Sequence, residues 1–140
     1  MWKVVQSRTR PNKPKQNVLP KTLISIEEVK VKTISIMLKY CPKTVIIFGS
    51  TARETHKTES DIDILVVWKR IVPDNSVQIK LELETMFKKK VDLVNMIYIE
   101  KDYEEVGQRK DLIDNINSDG IVVIGEKYDI FKSVLVNKTV

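Results

Sequence analysis

The stretch V-I-I-F-G-S-T-A-R-E-T-H-K-T-E-S-D-I-D-I-L-V-V, Val45–Val67, decides how this 140-residue chain is read. Val45–Phe48 is short, β-branched and bounded by turn residues, the pattern of a buried strand. Gly49-Ser50 breaks it. Ten polar-rich residues follow, and Asp61-Ile62-Asp63 opens a second apolar run to Trp68. The sequence therefore predicts a second strand over Ile62–Trp68, with two carboxylates where it begins. Side chains two apart on a strand project to one face. Asp61 and Asp63 are thus expected to point to one place, with Ile62 behind them in the core.

Like charges held that close repel, and a cation between them removes the conflict. Hard carboxylate oxygens favour magnesium, which takes one or two carboxylates and fills its shell with water and substrate phosphates. Gly49, without a Cβ, lets a phosphate approach the backbone. The Ser50 hydroxyl and the next amides are donors for it, the more so where Thr51–Glu54 starts a helix facing the ligand.

Gly49-Ser50, a ten-residue spacing and Asp-x-Asp resemble the signature of the DNA polymerase β-like nucleotidyltransferase superfamily. Ala52-Arg53, Ser60-Asp61-Ile62-Asp63 and the short chain narrow the resemblance to its minimal nucleotidyltransferases. It covers roughly residues 34–124. It implies a small mixed β-sheet with helices packed on one face, an α/β fold of the polymerase β-like kind. It also implies a third carboxylate on a neighbouring strand, for which Asp92 in Val91-Asp92-Leu93-Val94 qualifies. On this resemblance Asp61, Asp63 and Asp92 are the catalytic and metal-binding set, for two magnesium ions with manganese as the substitute. Gly49, Ser50, Arg53 and Ser60 are the nucleotide-binding set. The implied activity moves a nucleoside monophosphate such as AMP from a nucleoside triphosphate to a protein or small hydroxyl acceptor. A second implied role is that of an antitoxin-like module binding a helical HEPN-type toxin. One departure stands out: relatives often carry Gly after Ala-Arg, and this chain has Glu54.

Composition adds limits. The length suits one domain with a core of its own. Cys41 is the only cysteine, so no disulfide forms within the chain. No apolar run reaches the ~20 residues of a membrane span, and no signal core precedes the domain. A reducing, cytoplasmic setting is expected. The formal charge is +5, yet residues 1–21 hold six basic residues and no acid, which leaves 18 basic against 19 acidic elsewhere. The basicity belongs to a Pro-rich arm, read as extended and flexible, with Trp2, Val4 and Val5 as an apolar patch that could dock on the domain. RNA is the partner such an arm suggests, against the plainer alternative of a solvated tail.

Elsewhere the pattern predicts a helix capped by Ser25, with Glu28 in capping-box position, and Ile26, Val29, Thr33, Ile36, Met37 and Tyr40 inward. A second helix is expected over Val77–Lys89, with Ile79, Leu83, Met86 and Phe87 inward and Lys88-Lys89-Lys90 closing it. A strand over Val91–Ile97, a helix over Asp102–Asn117 with Val106, Leu112, Ile113 and Ile116 inward, and a short strand at Ile121–Ile124 complete a domain over 22–125. Residues 126–140 are too apolar for a plain tail and are expected on the domain or on a second subunit. His56, alone in a polar loop, is expected in solvent; Arg53 is either a phosphate ligand or a surface residue paired with Glu54 or Glu59. Ser60 either donates to a phosphate or fixes the turn before the strand.

Overall fold

The computed structural model describes residues 23–102 and 110–139, the last three by backbone alone. The basic arm with Trp2, Val4 and Val5, and Val106 in the expected fourth helix, lie outside the described residues. Helix α1 (Ile26–Met37) starts where Ser25 Oγ accepts from the Glu28 amide at 3.1 Å. Strand β1 (Thr44–Phe48) follows, then a single helical turn, α2 (Gly49–Ala52). Strand β2 (Ile62–Trp68), helix α3 (Ser76–Phe87) and strand β3 (Val91–Tyr98) come next. Helix α4 (Lys110–Asp119), strand β4 (Ile121–Ile124), a 3-10 segment (Lys127–Lys132) and strand β5 (Ser133–Thr139) complete the described order.

The five strands form one mixed sheet in the order β4-β1-β2-β3-β5. Strands β2 and β3 are parallel, joined through α3, and the other pairings are antiparallel. The fold is the mixed α/β arrangement expected. Its layering is fuller than helices on one face. Val29, Ile36 and Met37 of α1 and Ile79, Leu83 and Phe87 of α3 cover one side, against Val45, Ile47, Ile62, Ile64 and Val66. Ile113 and Ile116 of α4 and Ile130 cover the other, against Ile46, Leu65, Val67, Val94 and Met96. Strand alternation explains this. Both faces of β1 and β2 are apolar, so each needs a cover.

Met86, expected inward, is 40% exposed. Ile79, Leu83 and Phe87 recur every four residues and take the buried stripe, and Met86 falls about 100° away from Phe87. Residues past Gly125 are part of the sheet, since β5 pairs with β3 from Leu93 to Tyr98. No helix among the described residues is long and apolar enough to cross a membrane.

Candidate active site

The ends of β1, β2 and β3 meet in one row. Phe48 pairs with Asp63, and Asp63 pairs with Asp92 across the parallel ladder. Asp63 and Asp92 alternate with Ile62, Ile64, Val91 and Leu93, which enter the α1/α3 core. Both carboxylates therefore stand on the α4 side of the sheet, beyond its apolar cover. Asp61 lies one residue before β2 and is exposed. Among the described residues no three His, Cys, Asp or Glu side chains gather into a metal cage.

Gly49 faces this pair. Its φ is +74°, and a Cβ built there would stand 2.1 Å from Asp63 Oδ2. Any side chain at Gly49 would occupy the space of the carboxylate, so glycine is required by the approach of strand to turn as well as by the backbone angle. The donor set is hard oxygen throughout, which suits a hard divalent cation better than a soft or borderline one. The turn begins at Gly49, two residues before the expected start. The Arg53 amide closes it on Gly49 O at 3.2 Å and the Thr55 amide on Ser50 O at 2.9 Å.

Arg53 is half-exposed, and its nearest acid is Asp119 at 3.8 Å, at the end of α4, rather than Glu54 or Glu59. Asp119 is near because α2 packs on α4, a contact between residues 66 apart that local sequence does not carry. Ser60 Oγ accepts from the Lys57 amide at 2.8 Å, which ties the turn before β2 and leaves its hydroxyl proton for another acceptor. Glu54 has φ +59°, the left-handed region in which glycine is at ease. The departure noted in the sequence thus falls on a position whose backbone suits Gly. The Glu59 carboxyl is held below its ordinary range, chiefly by the Thr58 hydroxyl, then by its own amide, with Lys57 and Lys89 adding.

His56 departs from expectation. It is half-buried, and its Nε2 lies 2.6 Å from Ile24 O. A carbonyl only accepts, so Nε2 carries the proton. Ile24 is 32 residues away, and nothing in the loop's own sequence announces the contact. A groove of about 470 Å³ lies behind the loop, away from the carboxylates. The carboxylates stand at the beginning of two interior strands of the sheet, β2 and β3.

A glycine-led turn facing paired aspartates at the end of a mixed sheet defines a nucleotidyltransferase of the polymerase β type. Residues 31–129 match the family described as "Polymerase beta, Nucleotidyltransferase", and the chain belongs to it. Its fold is similar to that of a solved structure described as "Structure of putative minimal nucleotidyltransferase", with a TM-score of 0.54 and 23% identity over 71% of this chain and 97% of the other. The chain is similar to "Putative protein adenylyltransferase MJ0435" of Methanocaldococcus jannaschii, with 43% identity over 51% of this chain and 77% of that one. A second relative from the same organism, "Putative protein adenylyltransferase MJ1217", is 37% identical over 66% of this chain and 97% of that one. Among solved structures, the fold is similar to one described as "Crystal structure of the toxin-antitoxin with AMP-PNP". That match has a TM-score of 0.55 and 22% identity, over 71% of this chain and 76% of the other.

Proposed function

We propose that this nucleotidyltransferase moves AMP from ATP to a hydroxyl group of an acceptor protein, with magnesium as its metal. The observation that carries the reading is the placement of Gly49 against Asp63 and of Asp63 beside Asp92. The adenylyl group and the protein acceptor are supported by the two relatives, both named as protein adenylyltransferases. Asp61, Asp63 and Asp92 would hold the metal, in the pair of ions that in-line displacement at phosphorus commonly uses. When bound, magnesium would neutralise the phosphate oxygens and steady the departing pyrophosphate.

The chain's own residues do the rest. Gly49 leaves room for the β- and γ-phosphates against the backbone, and the Ser50 hydroxyl donates to them. Arg53 exchanges Asp119 for phosphate oxygens, which its planar fork matches better. The Ser60 hydroxyl proton is a further donor. Asp92 takes the proton of the attacking hydroxyl. A bond forms from that oxygen to the α-phosphorus as the bond to the bridging oxygen breaks, and pyrophosphate leaves.

A second reading is favoured by the fold's likeness to the toxin–antitoxin structure. On it, the acceptor is a helical toxin that the chain binds and neutralises. The test of the main reading is thermal melting with each nucleoside triphosphate, with and without magnesium, for the native chain and Asp63→Ala. Ligand at 100 times its Kd stabilises by about 2.7 kcal/mol. A magnesium-dependent shift with ATP, absent in Asp63→Ala, is expected. So is transfer of α-phosphate label from ATP to protein. A shift unchanged in Asp63→Ala would overturn the site, and a shift with another base only would overturn the adenylyl assignment.

A further inference from the structure

The segment Arg53–Ser60 joins the glycine turn to Asp61 and carries two of the residues assigned to phosphate. It has no regular structure beyond its turns, yet it is tied from behind at several points. Lys89 Nζ donates to Thr58 O and lies 3.5 Å from Lys57 O. His56 Nε2 donates to Ile24 O, at the entry to α1. The Lys57 amide closes the loop on Ser60 Oγ. Lys89 comes just after Lys88, whose φ of +55° ends α3 and turns the chain into β3. One ammonium group thus links the loop to a residue three positions before Asp92.

The groove behind the loop makes these ties consequential. Its walls include Ile24, Thr58, Phe87 and Lys89. The loop does not rest on a packed core there. Of the loop residues Thr58 lines this groove, so without the two side-chain ties the stretch from His56 to Ser60 has open space of about 470 Å³ beside it. The Lys89 ammonium donates to loop carbonyls, a contact that adds to the complementing of the α3 dipole expected from sequence.

We infer that Lys89 and His56 are positioning residues for nucleotide binding, clamping the phosphate-side loop from the face opposite the carboxylates. The inference rests on the nucleotidyl-transfer reading of the site. Neither side chain is assigned to substrate. Each acts by fixing where Arg53 and Ser60 stand, so losing either weakens binding of the triphosphate in the ground and transition states alike.

The experiment pairs Lys89→Met with Lys89→Arg, and His56→Leu with His56→Gln. Arginine keeps a cationic donor, and the glutamine amide keeps a donor near the place of Nε2. For each full-length variant, the ATP Kd with magnesium, the KM and kcat for AMP transfer, and amide exchange over residues 54–60 are measured. Lys89→Met and His56→Leu should raise Kd and KM about tenfold with kcat within about twofold. The Arg and Gln variants should stay within about twofold of the native chain. Exchange over residues 54–60 should accelerate while β1–β3 stay protected. Unchanged ATP affinity in Lys89→Met and His56→Leu overturns the clamp. So does failure of the Arg and Gln variants to restore it, or exchange that accelerates throughout β1–β3. Should the native chain bind no triphosphate, the transfer reading itself falls, and the exchange data still decide whether the two side chains hold the loop.

Discussion

Replacing Gly49 by Ala separates the stability of this domain from its chemistry, and the structure fixes both magnitudes. The new methyl would lie 2.1 Å from Asp63 Oδ2, 3.0 Å from its Cγ and 3.3 Å from its Cβ. Ordinary contact is about 3.5–4 Å, so the carboxylate has to move by roughly 1.4 Å or more. What moves is the end of a half-buried side chain rather than backbone. The positive φ adds strain of about 1–2 kcal/mol, and a stiffer unfolded chain returns ~0.4–1 kcal/mol of that. The net loss from the backbone is therefore at most about 1.6 kcal/mol, or a fall in Tm of up to roughly 6 °C. A catalytic group displaced by ~1 Å costs on the order of 100-fold in rate. The expected outcome is a folded variant with a slightly lower Tm by circular dichroism and at most about 1% of native AMP transfer. Native activity at a lowered Tm would falsify the placement of Asp63 at the reacting centre. Collapse of the fold would show instead that the carboxylate cannot yield.

Two further outcomes are expected. Glu54→Gly relieves the left-handed backbone at φ +59°, so stability should rise by about 0.5–1 kcal/mol in urea titration. ATP affinity should not fall, since an exposed negative charge beside the phosphate loop is removed. A less stable variant would mean that the Glu54 side chain is needed. The second concerns Glu82, whose carboxyl Lys39 and then Tyr40 hold below its ordinary range. Lys39 and Tyr40 are shifted up by the same contacts, so the directions agree. A depressed carboxyl contributes stability above its unfolded pKa and loses it as pH falls through the folded value. The native chain should therefore exceed Glu82→Gln in urea midpoint near about pH 7 and converge with it near about pH 3. The network is on the surface, so the gap should be small and should shrink in high salt. A gap independent of pH would refute the ionic origin.

Legibility in the sequence followed the range of the interactions. Asp63 was readable because β2 is apolar on both faces and begins abruptly, so its two-residue period needs no distant information. The Ser25 cap and the α1 and α3 stripes at Val29–Thr33–Ile36 and Ile79–Leu83–Phe87 were readable for the same reason. Asp92 required more. Its strand could be read locally, but its register opposite Asp63 came from resemblance and not from spacing. The second helical layer was hidden. Ile113 and Ile116 mark a buried side of α4 without saying which face of the sheet it covers. The partner of Arg53 was hidden likewise, since Asp119 reaches it only once α2 has packed on α4.

His56 and Lys89 show the deeper limit. Each carries a plausible local role, solvent for a lone histidine in a polar loop and dipole complementation for a lysine after a helix. Those roles follow from neighbours in sequence. The observed contacts depend on backbone carbonyls of Ile24, Lys57 and Thr58, 31 or 32 residues away. A carbonyl is present at every residue and leaves no mark on composition or spacing. A side chain that meets main chain across the fold is therefore the contact least visible in a single sequence. Around this site such contacts hold the irregular loop, because the loop has neither a ladder nor an apolar stripe of its own to hold it. On the proposed function, the carboxylates that sequence makes conspicuous would hold the metal, and the inconspicuous donors behind the loop would keep Arg53 and Ser60 beside them.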